Sequence, residues 1–520
     1  MESISKTAKI FIAITTISAA IMELIDTSIV NVALNQMAGN LGASIEDIAW
    51  VITSYAIANV IIIPMTGFLA LYFGRLRYYM VSIAIFTIAS VLCGTSTTLW
   101  QIVLWRFVQG LGGGALLSTS QSILFETFTG KQRGMAAALF GMGVVLGPTL
   151  GPTVGGIIID SYSWPLIFFI NLPFGIVASI LAYRFIPRLP VALKKPSIDW
   201  SGIFLLTIGV GALQYVLERG EAEDWYDSRL IIGLTVLAAV GLVTFIWWEL
   251  QQKEPVVNLR ILKDFNLAIT TLLTFIVGFI LFTSVFIFPL MLQRALGYTA
   301  YETGITLLPA SLLSLILMPF IGKMLQGGTR PHIFVTIGFI TLMGFGILMS
   351  RADQNVSSGF FALPLLIRGA GLACLFVPLN AMAVAGLKPH EIPQGVALNN
   401  MMRQLGGSFG IAIINNYLAH RVAIHRVDLI SNIYDGSAQF TERFNQIYQG
   451  LQSKLPLIAN LKQQTYQIID LSVMKQAFLL SYLDAFLYAT LFILFAFPLL
   501  LLTRSVRIRN NKALMAAQEI

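Results

Sequence analysis

Long apolar runs separated by short charged turns dominate the chain. Residues 48–73, 78–98, 134–159, 265–293 and 333–350 contain no Asp, Glu, Lys or Arg. A bilayer crossing takes about 17–25 apolar residues, and a helix satisfies its own backbone polar groups inside lipid. The same reading along the whole chain predicts fourteen helices. They fall at 10–34, 48–73, 79–96, 99–125, 134–159, 164–183, 200–217, 229–248, 266–291, 304–324, 332–350, 359–386, 394–419 and 476–503. The expected fold is an all-α polytopic membrane protein. The first segment is too long for a signal-peptide core and carries Glu23 and Asp26, so it reads as a retained span.

Composition supports the pattern. Of the 520 residues, 56% are hydrophobic and 11% are charged, against about 25% charged in soluble domains. The net charge of +8 is not a nucleic-acid signature once its distribution is considered. Twenty of the 33 Lys and Arg residues fall on the side of the amino terminus, and four fall in the short loops opposite. That asymmetry is the positive-inside bias and predicts cytoplasmic termini. Cys93 and Cys374 both fall in apolar spans, which argues against a disulfide framework.

The chain repeats itself. Pro64-Met65-Thr66-Gly67 near the end of the second segment is followed eight residues later by Arg75. Pro319-Phe320-Ile321-Gly322 in the tenth precedes Arg330 at the same distance. Arg106 with Gly110, Gly112, Gly113 and Gly114 in the fourth segment parallels Arg368 with Gly369 and Gly371 in the twelfth. This predicts two six-helix pseudo-repeat bundles, residues 1–190 and 263–520, with two helices inserted at 191–262.

Six ionisable residues fall well inside spans: Glu23, Asp26, Arg106, Arg368, Arg403 and Asp484. Each costs about 2.5–3.5 kcal/mol at a helix centre on insertion scales, so all should face the bundle or a wet cavity. Counting roughly 1.5 Å per residue puts Glu23, Asp26 and Arg106 at nearly one level, and Asp484 level with Arg368. Arg403 has no acid level with it. Two readings stay open for the first group, a proton site tuned by Arg106 or a static ion pair; Asp484 and Arg368 read better as structural.

Gly143, Gly147, Gly151 and Gly155 recur every four residues, with Pro148, Pro152 and Gly156 among them. Small residues at that spacing let helices approach closely. A flexible seam between the halves is the functional reading, and close packing the structural one. In the long loop at about 420–475, Phe440, Phe444, Ile447, Tyr448 and Leu451 form an apolar helical face that Leu457, Ile458 and Leu461 continue beyond Pro456. It reads as a hairpin packed on itself or as a docking surface. His332, His390, His420 and His425 make no metal spacing, and no phosphate-binding glycine loop exists. No cofactor or metal is expected, and ATP is not the energy source.

Several motifs together carry a family resemblance. Ile25-Asp26-Thr27-Ser28-Ile29-Val30-Asn31-Val32-Ala33-Leu34 matches a first-helix signature. Arg106-Phe107-Val108-Gln109-Gly110, the Gly143–Gly156 stretch and Phe169-Ile170-Asn171-Leu172-Pro173 are similar to those of the fourth, fifth and sixth helices. In this the chain resembles the fourteen-helix drug:proton antiporters of the major facilitator superfamily, of the EmrB type. The resemblance implies a bacterial inner-membrane exporter of lipophilic or amphipathic drugs, coupled to protons. It also implies a periplasmic membrane-fusion adaptor, an outer-membrane channel and contact with membrane lipids. It assigns proton coupling to Asp26, Glu23 and Arg106, and a cytoplasmic gating loop to Gly67, Gly74 and Arg75. Two departures stand out. Leu71 and Tyr72 occupy positions where many relatives carry Asp and Arg, which puts gating by that ion pair in doubt. Asn35 replaces a usual Pro. The alternatives are a dedicated exporter of one endogenous metabolite or lipid, and a transport-inactive scaffold or receptor.

Overall fold

The computed structural model describes residues 5–187, 197–353, 356, 358–431, 433–434, 437–454 and 460–502. Every regular element among them is helical. The amino-terminal set is α1 (Lys6–Leu41), α2 (Trp50–Phe73), α3 (Arg75–Gly94), α4 (Leu99–Thr127), α5 (Arg133–Ser161) and α6 (Asn171–Phe185), which follows the turn Leu166–Phe169. α7 (Trp200–Arg219) and α8 (Arg229–Glu249) form a hairpin. The remainder is α9 (Phe265–Leu290), α10 (Ala300–Gln326), α11 (Pro331–Met349), α12 (Ala362–Ala383), α13 (Ile392–Ser431), α14 (Ala438–Lys454) and α15 (Leu461–Ile493). Local chemistry sets several ends. Ser5 Oγ accepts from Ala8 N at 3.2 Å to start α1, and Gly42 stops it at φ +62°, where a side chain would be strained. Thr299 and Glu302 close a capping box at the start of α10.

The burial pattern is that of a protein dissolved in lipid. Trp100, Val243, Trp247, Ile316 and Leu491 are more than half exposed, whereas Thr15, Gln109, Ser120, Gln214 and Asn399 are fully buried. Twelve described helices are long and apolar enough to cross a membrane. The two predicted spans outside that dozen, at 99–125 and 394–419, form α4 and α13. They are the more polar because they turn Arg106, Gln109 and Gln121, and Asn399, Asn400 and Arg403, into the interior. Other helices enclose them: α1, α2 and α3 pack on α4, and α2, α9 and α15 pack on α13. A helix shielded by its neighbours does not need an apolar surface.

The segment expected as a loop at about 420–475 is largely helix. α13 runs on to Ser431, giving a rod of about 60 Å at 1.5 Å per residue, twice the apolar thickness of a bilayer. α15 begins at Leu461, before its apolar part, and Arg426 Nη2 reaches Asp470 Oδ1 at 2.9 Å between the two extensions. Phe440 and Phe444 of α14 lie 6.5 and 5.1 Å from the ring of Tyr466. Their apolar face is therefore spent, at least in part, on a hairpin with α15. Pro456, Leu457 and Ile458 lie outside the described residues, as do Arg188, Lys194, Lys195, Arg504, Arg507, Arg509 and Lys512.

The glycine stripe of α5 faces α1, within the amino-terminal set, rather than a seam between halves. A Cβ on Gly147 would lie 2.2 Å from Leu24 Cβ, and one on Gly151 1.9 Å from Ser28 Oγ. The inter-half contact uses another face of α5: Gly134 meets the Gly322 carbonyl of α10, and Ser311 Oγ of α10 donates to Thr149 Oγ1 at 2.8 Å. Four-residue spacing defines a smooth face, but not the neighbour it meets.

Candidate functional site

Glu23 and Asp26 lie one turn apart on α1 and are both buried. Their surroundings differ. Asp26 is saturated. Its Oδ2 accepts from Arg106 Nη1 at 2.5 Å, and its Oδ1 accepts from Gln109 Nε2 at 2.9 Å and Asn171 Nδ2 at 2.7 Å. Arg106 is held in turn. Its Nε donates to the Val51 carbonyl at 3.2 Å, and its guanidinium sits 4.0 Å from the centre of the Tyr55 ring. Asn171 also donates to Ser90 Oγ at 3.0 Å. The network therefore ties α1, α2, α3, α4 and α6 around one buried ion pair. Removing one member of such a pair leaves the other charge buried and uncompensated.

Glu23 has no cation within bonding distance. Its Oε1 accepts from Tyr55 Oη at 3.2 Å and Asn59 Nδ2 at 3.1 Å, while Oε2 is buried with no hydrogen-bond partner. A second buried charge without an ion pair among the described residues is Arg403 of α13. Arg403 is 3% exposed, faces the rings of Phe140 and Phe376 at 5.8 and 6.0 Å, and keeps Nη1 unpartnered. Glu23 and Arg403 are thus each buried with an unused polar atom. Of the two acids expected beside Arg106, Asp26 is in contact with it, and Glu23 makes no ion pair among the described residues.

The expected pairing of Asp484 with Arg368 does not form. Asp484 is partly exposed and is bound by Arg421, through Nε at 2.7 Å, and by His425 Nε2 at 2.8 Å. Both partners stand on the extension of α13, where the sequence pattern predicts a loop. Arg368 is 5% exposed, its Nε is buried without a partner, and the nearest aromatic ring, Phe345, is centred 6.0 Å away.

At the side of the bundle where α1 begins, the halves are closed. Gln121 Nε2 donates to Asn380 Oδ1 at 2.9 Å, Asn400 Nδ2 to Gln121 Oε1 at 2.8 Å, and Arg133 Nη1 to the Val384 carbonyl at 2.7 Å. Gly67 allows α2 to meet α13, since a Cβ there would lie 2.8 Å from Gln394 Cα. Gly74, at φ +84°, makes the turn into α3, and Arg75 forms an ion pair with Glu126 of α4. Glu126 thus supplies an acid where the expected loop aspartate is replaced by Leu71.

Sequence reading missed Tyr55, Asn59, Gln121, Glu126, Asn380 and Asn400. A signal was available, because amides deep in apolar segments need buried partners. Gln109 and Asn171 stand inside the family motifs, and the structure adds their role as donors to Asp26.

The sequence pattern of the Major Facilitator Superfamily matches residues 16–411. The chain is 33% identical over 464 residues, 89% of each chain, to "Multidrug export protein EmrB" of Escherichia coli (strain K12). It is 32% identical over 487 residues, 94% of each chain, to "Fatty acid resistance protein FarB" of Neisseria gonorrhoeae. Among solved structures, the human organic anion transporter MFSD10 (TETRAN) is similar in fold, with a TM-score of 0.59 at 13% identity, covering 93% of this chain and 99% of that one.

Proposed function

The chain belongs to the major facilitator superfamily of multi-pass membrane transporters, and from that premise we propose that it exports lipophilic or amphipathic compounds in exchange for protons. The observation that carries the proton half of this reading is the contrast between Asp26 and Glu23. Asp26 already has a cation and two amide donors, so its charge is compensated as it stands. Glu23 has only neutral donors and a free oxygen. Burying a lone carboxylate is costly, and a proton on Oε2 removes that cost. In this reading Glu23 carries the proton, while Asp26 and Arg106 hold the helices that frame it. Loss of the proton leaves a negative charge that attracts Arg403, so the proton state of α1 biases the fit of α13 against the amino-terminal half. Substrate entering between the halves exchanges for the proton at that step.

Fourteen spans complete the proposal, with α4 and α13 added to the twelve apolar helices. The division is 1–190, 191–262 and 263–520, and the twenty-to-four distribution of basic residues puts both termini in the cytoplasm of a bacterial inner membrane. Two matched contacts support a pseudo-repeat. α4 meets α2 at Gly110, whose Cβ would lie 2.6 Å from the Tyr55 carbonyl, and α12 meets α10 at Gly369, whose Cβ would lie 2.2 Å from the Ala310 carbonyl. The projecting α13–α15 extension, with α14 on it, is the surface we assign to a periplasmic adaptor and its outer-membrane channel.

The deciding measurement is substrate-induced proton release from purified protein, paired with uptake into inverted vesicles. Glu23→Gln should release no proton and accumulate no substrate against a gradient, while still binding it. Proton release that persists in Glu23→Gln and vanishes in folded Asp26→Asn would transfer the role to Asp26.

A further inference from the structure

The two connectors that join the α7–α8 hairpin to the rest of the bundle are clasped together at its root. α6 ends on the side where α1 begins, since the rings of Phe11 and Phe185 stack at 4.3 Å. The chain enters α7 through Ser197 and Asp199, and it leaves α8 through residues 250–264 on the way to α9. Ser197 donates from its backbone N and, at 2.8 Å, from its Oγ to Glu254 Oε2. Trp248 Nε1 of α8 donates to Asp199 Oδ2 at 2.9 Å, and Val257 N donates to Glu249 Oε1 at 3.4 Å. These bonds tie the way in from the first six helices to the way out toward the last ones.

Two carboxyl groups meet inside the clasp. A Cβ on Gly202 would lie 2.7 Å from Asp199 Oδ2 and 2.8 Å from Glu249 Oε1, so not even a methyl group fits between them. They are unequally served. Asp199 caps α7: its Oδ1 accepts from Gly202 N at 2.9 Å, Trp248 donates to it, and a helix amino terminus favours its charge. Glu249 is 1% exposed, has one long backbone donor, and keeps Oε2 buried with no hydrogen-bond partner. No ion pair reaches either acid among the described residues. Arg260 Nη2 is spent on the Leu250 carbonyl at 2.7 Å, Lys253 and Lys263 are exposed, and Glu254 is a third acid, held by Ser197. Of the helices that pack on α7, α2 carries no acid or base, and the first charge of α13 is Arg403, about three turns in. Two carboxylates this close repel each other, and a proton on the one that lacks donors removes both the repulsion and the cost of burial.

We propose that Glu249 is a second proton-binding site, apart from the buried acids of α1, which holds a proton on Oε2 while the clasp is closed and loosens the clasp on releasing it. The acid form is the one that the closed clasp stabilises. The clasp is therefore tight at low pH and weakens as pH rises through the titration of Glu249. Release passes the proton to water and leaves a second negative charge beside Asp199, which is relieved when the 256–258 segment swings away and water reaches Oε2. Both connectors must move when the bundle parts on this side, so a closed clasp favours the closed arrangement. That last consequence rests on the transporter reading, whereas the proton site itself does not.

The test follows backbone amide exchange of the full-length protein in phosphatidylcholine nanodiscs, without substrate, at about pH 6 and about pH 9, a range that brackets the titration of buried glutamates. In wild type, protection of residues 200–203 and 256–258 should fall about 10-fold at the higher pH, after correction for the base catalysis of exchange, while protection of α12 stays level. Glu249→Gln keeps the shape of the protonated acid and cannot release a proton, so it should hold the low-pH protection at both values. Glu23→Gln should respond as wild type does. Equal protection of the two segments at both pH values in wild type would overturn the proposal without any variant. So would a pH response that survives in Glu249→Gln, or one that disappears in Glu23→Gln and so belongs to that acid. Exchange is read in the absence of substrate, so a failed transport assay leaves this result standing, and a level exchange profile leaves the transporter reading untouched.

Discussion

The two halves share a packing scheme but not a charge scheme. In the amino-terminal half α5 lies on α1 through Gly147 and Gly151, and in the carboxy-terminal half α13 lies on α9 through Gly406 and Gly278. The close contacts differ in kind. An added Cβ on Gly147 or Gly151 meets side-chain atoms of Leu24 or Ser28 first, whereas one on Gly278 or Gly406 meets the backbone carbonyls of Arg403 or Phe275 at 2.1 Å. The charges differ more. The first half closes Asp26 with Arg106 and three further helices, while the second buries Arg368 and Arg403 with unused donors. The Asp26–Arg106 pair is locked, whereas Glu23 in the first half and Arg368 and Arg403 in the second keep unused polar atoms.

The largest effect should come from opening the locked half. Asp26→Asn strands Arg106 and should cost about 3–5 kcal/mol of stability, read as a fall in thermal midpoint of the purified protein. A double variant with Arg106→Gln should recover much of that loss. Non-recovery would mean that Asp26 matters for something other than compensating Arg106.

A smaller effect of opposite sign tests the open half. Arg368→Met replaces an uncompensated cation by an apolar side chain of similar length and should stabilise the protein by about 1–4 kcal/mol, in the absence of any anionic ligand. A destabilised Arg368→Met would reveal a structural partner and erase the contrast.

The smallest effects compare the seams. Gly151→Ala and Gly406→Ala should each cost about 1–3 kcal/mol by overpacking, with Gly406→Ala the worse. Ser28 can rotate away from a new methyl group, and the Phe275 carbonyl of a helix cannot. Equal costs would show that the α1–α5 seam is as rigid as the α9–α13 seam.

Much of this was legible in the sequence. Apolar length located nearly every crossing helix, and the cost of a charge in lipid marked Glu23, Asp26, Arg106, Arg368 and Arg403 as inward-facing. Helical spacing placed Glu23 and Asp26 on one face. Depth counting brought Asp26 level with Arg106, and those two residues do meet.

The same counting failed for Asp484 and Arg368. Depth fixes height along a helix but not the azimuth, and azimuth decides which charge an arginine reaches. Nor could the sequence tell that α13 continues to Ser431 and so supplies Arg421 and His425, because polar residues suit a helix and a loop alike. Span and depth follow from the transfer energy of each residue between water and lipid, a property the chain carries position by position. Which face meets which neighbour follows from the rotation of whole helices against one another. Only the packed bundle decided, therefore, that Asp26 is compensated, that Glu23 has only neutral donors, and that Arg368 makes no ion pair among the described residues.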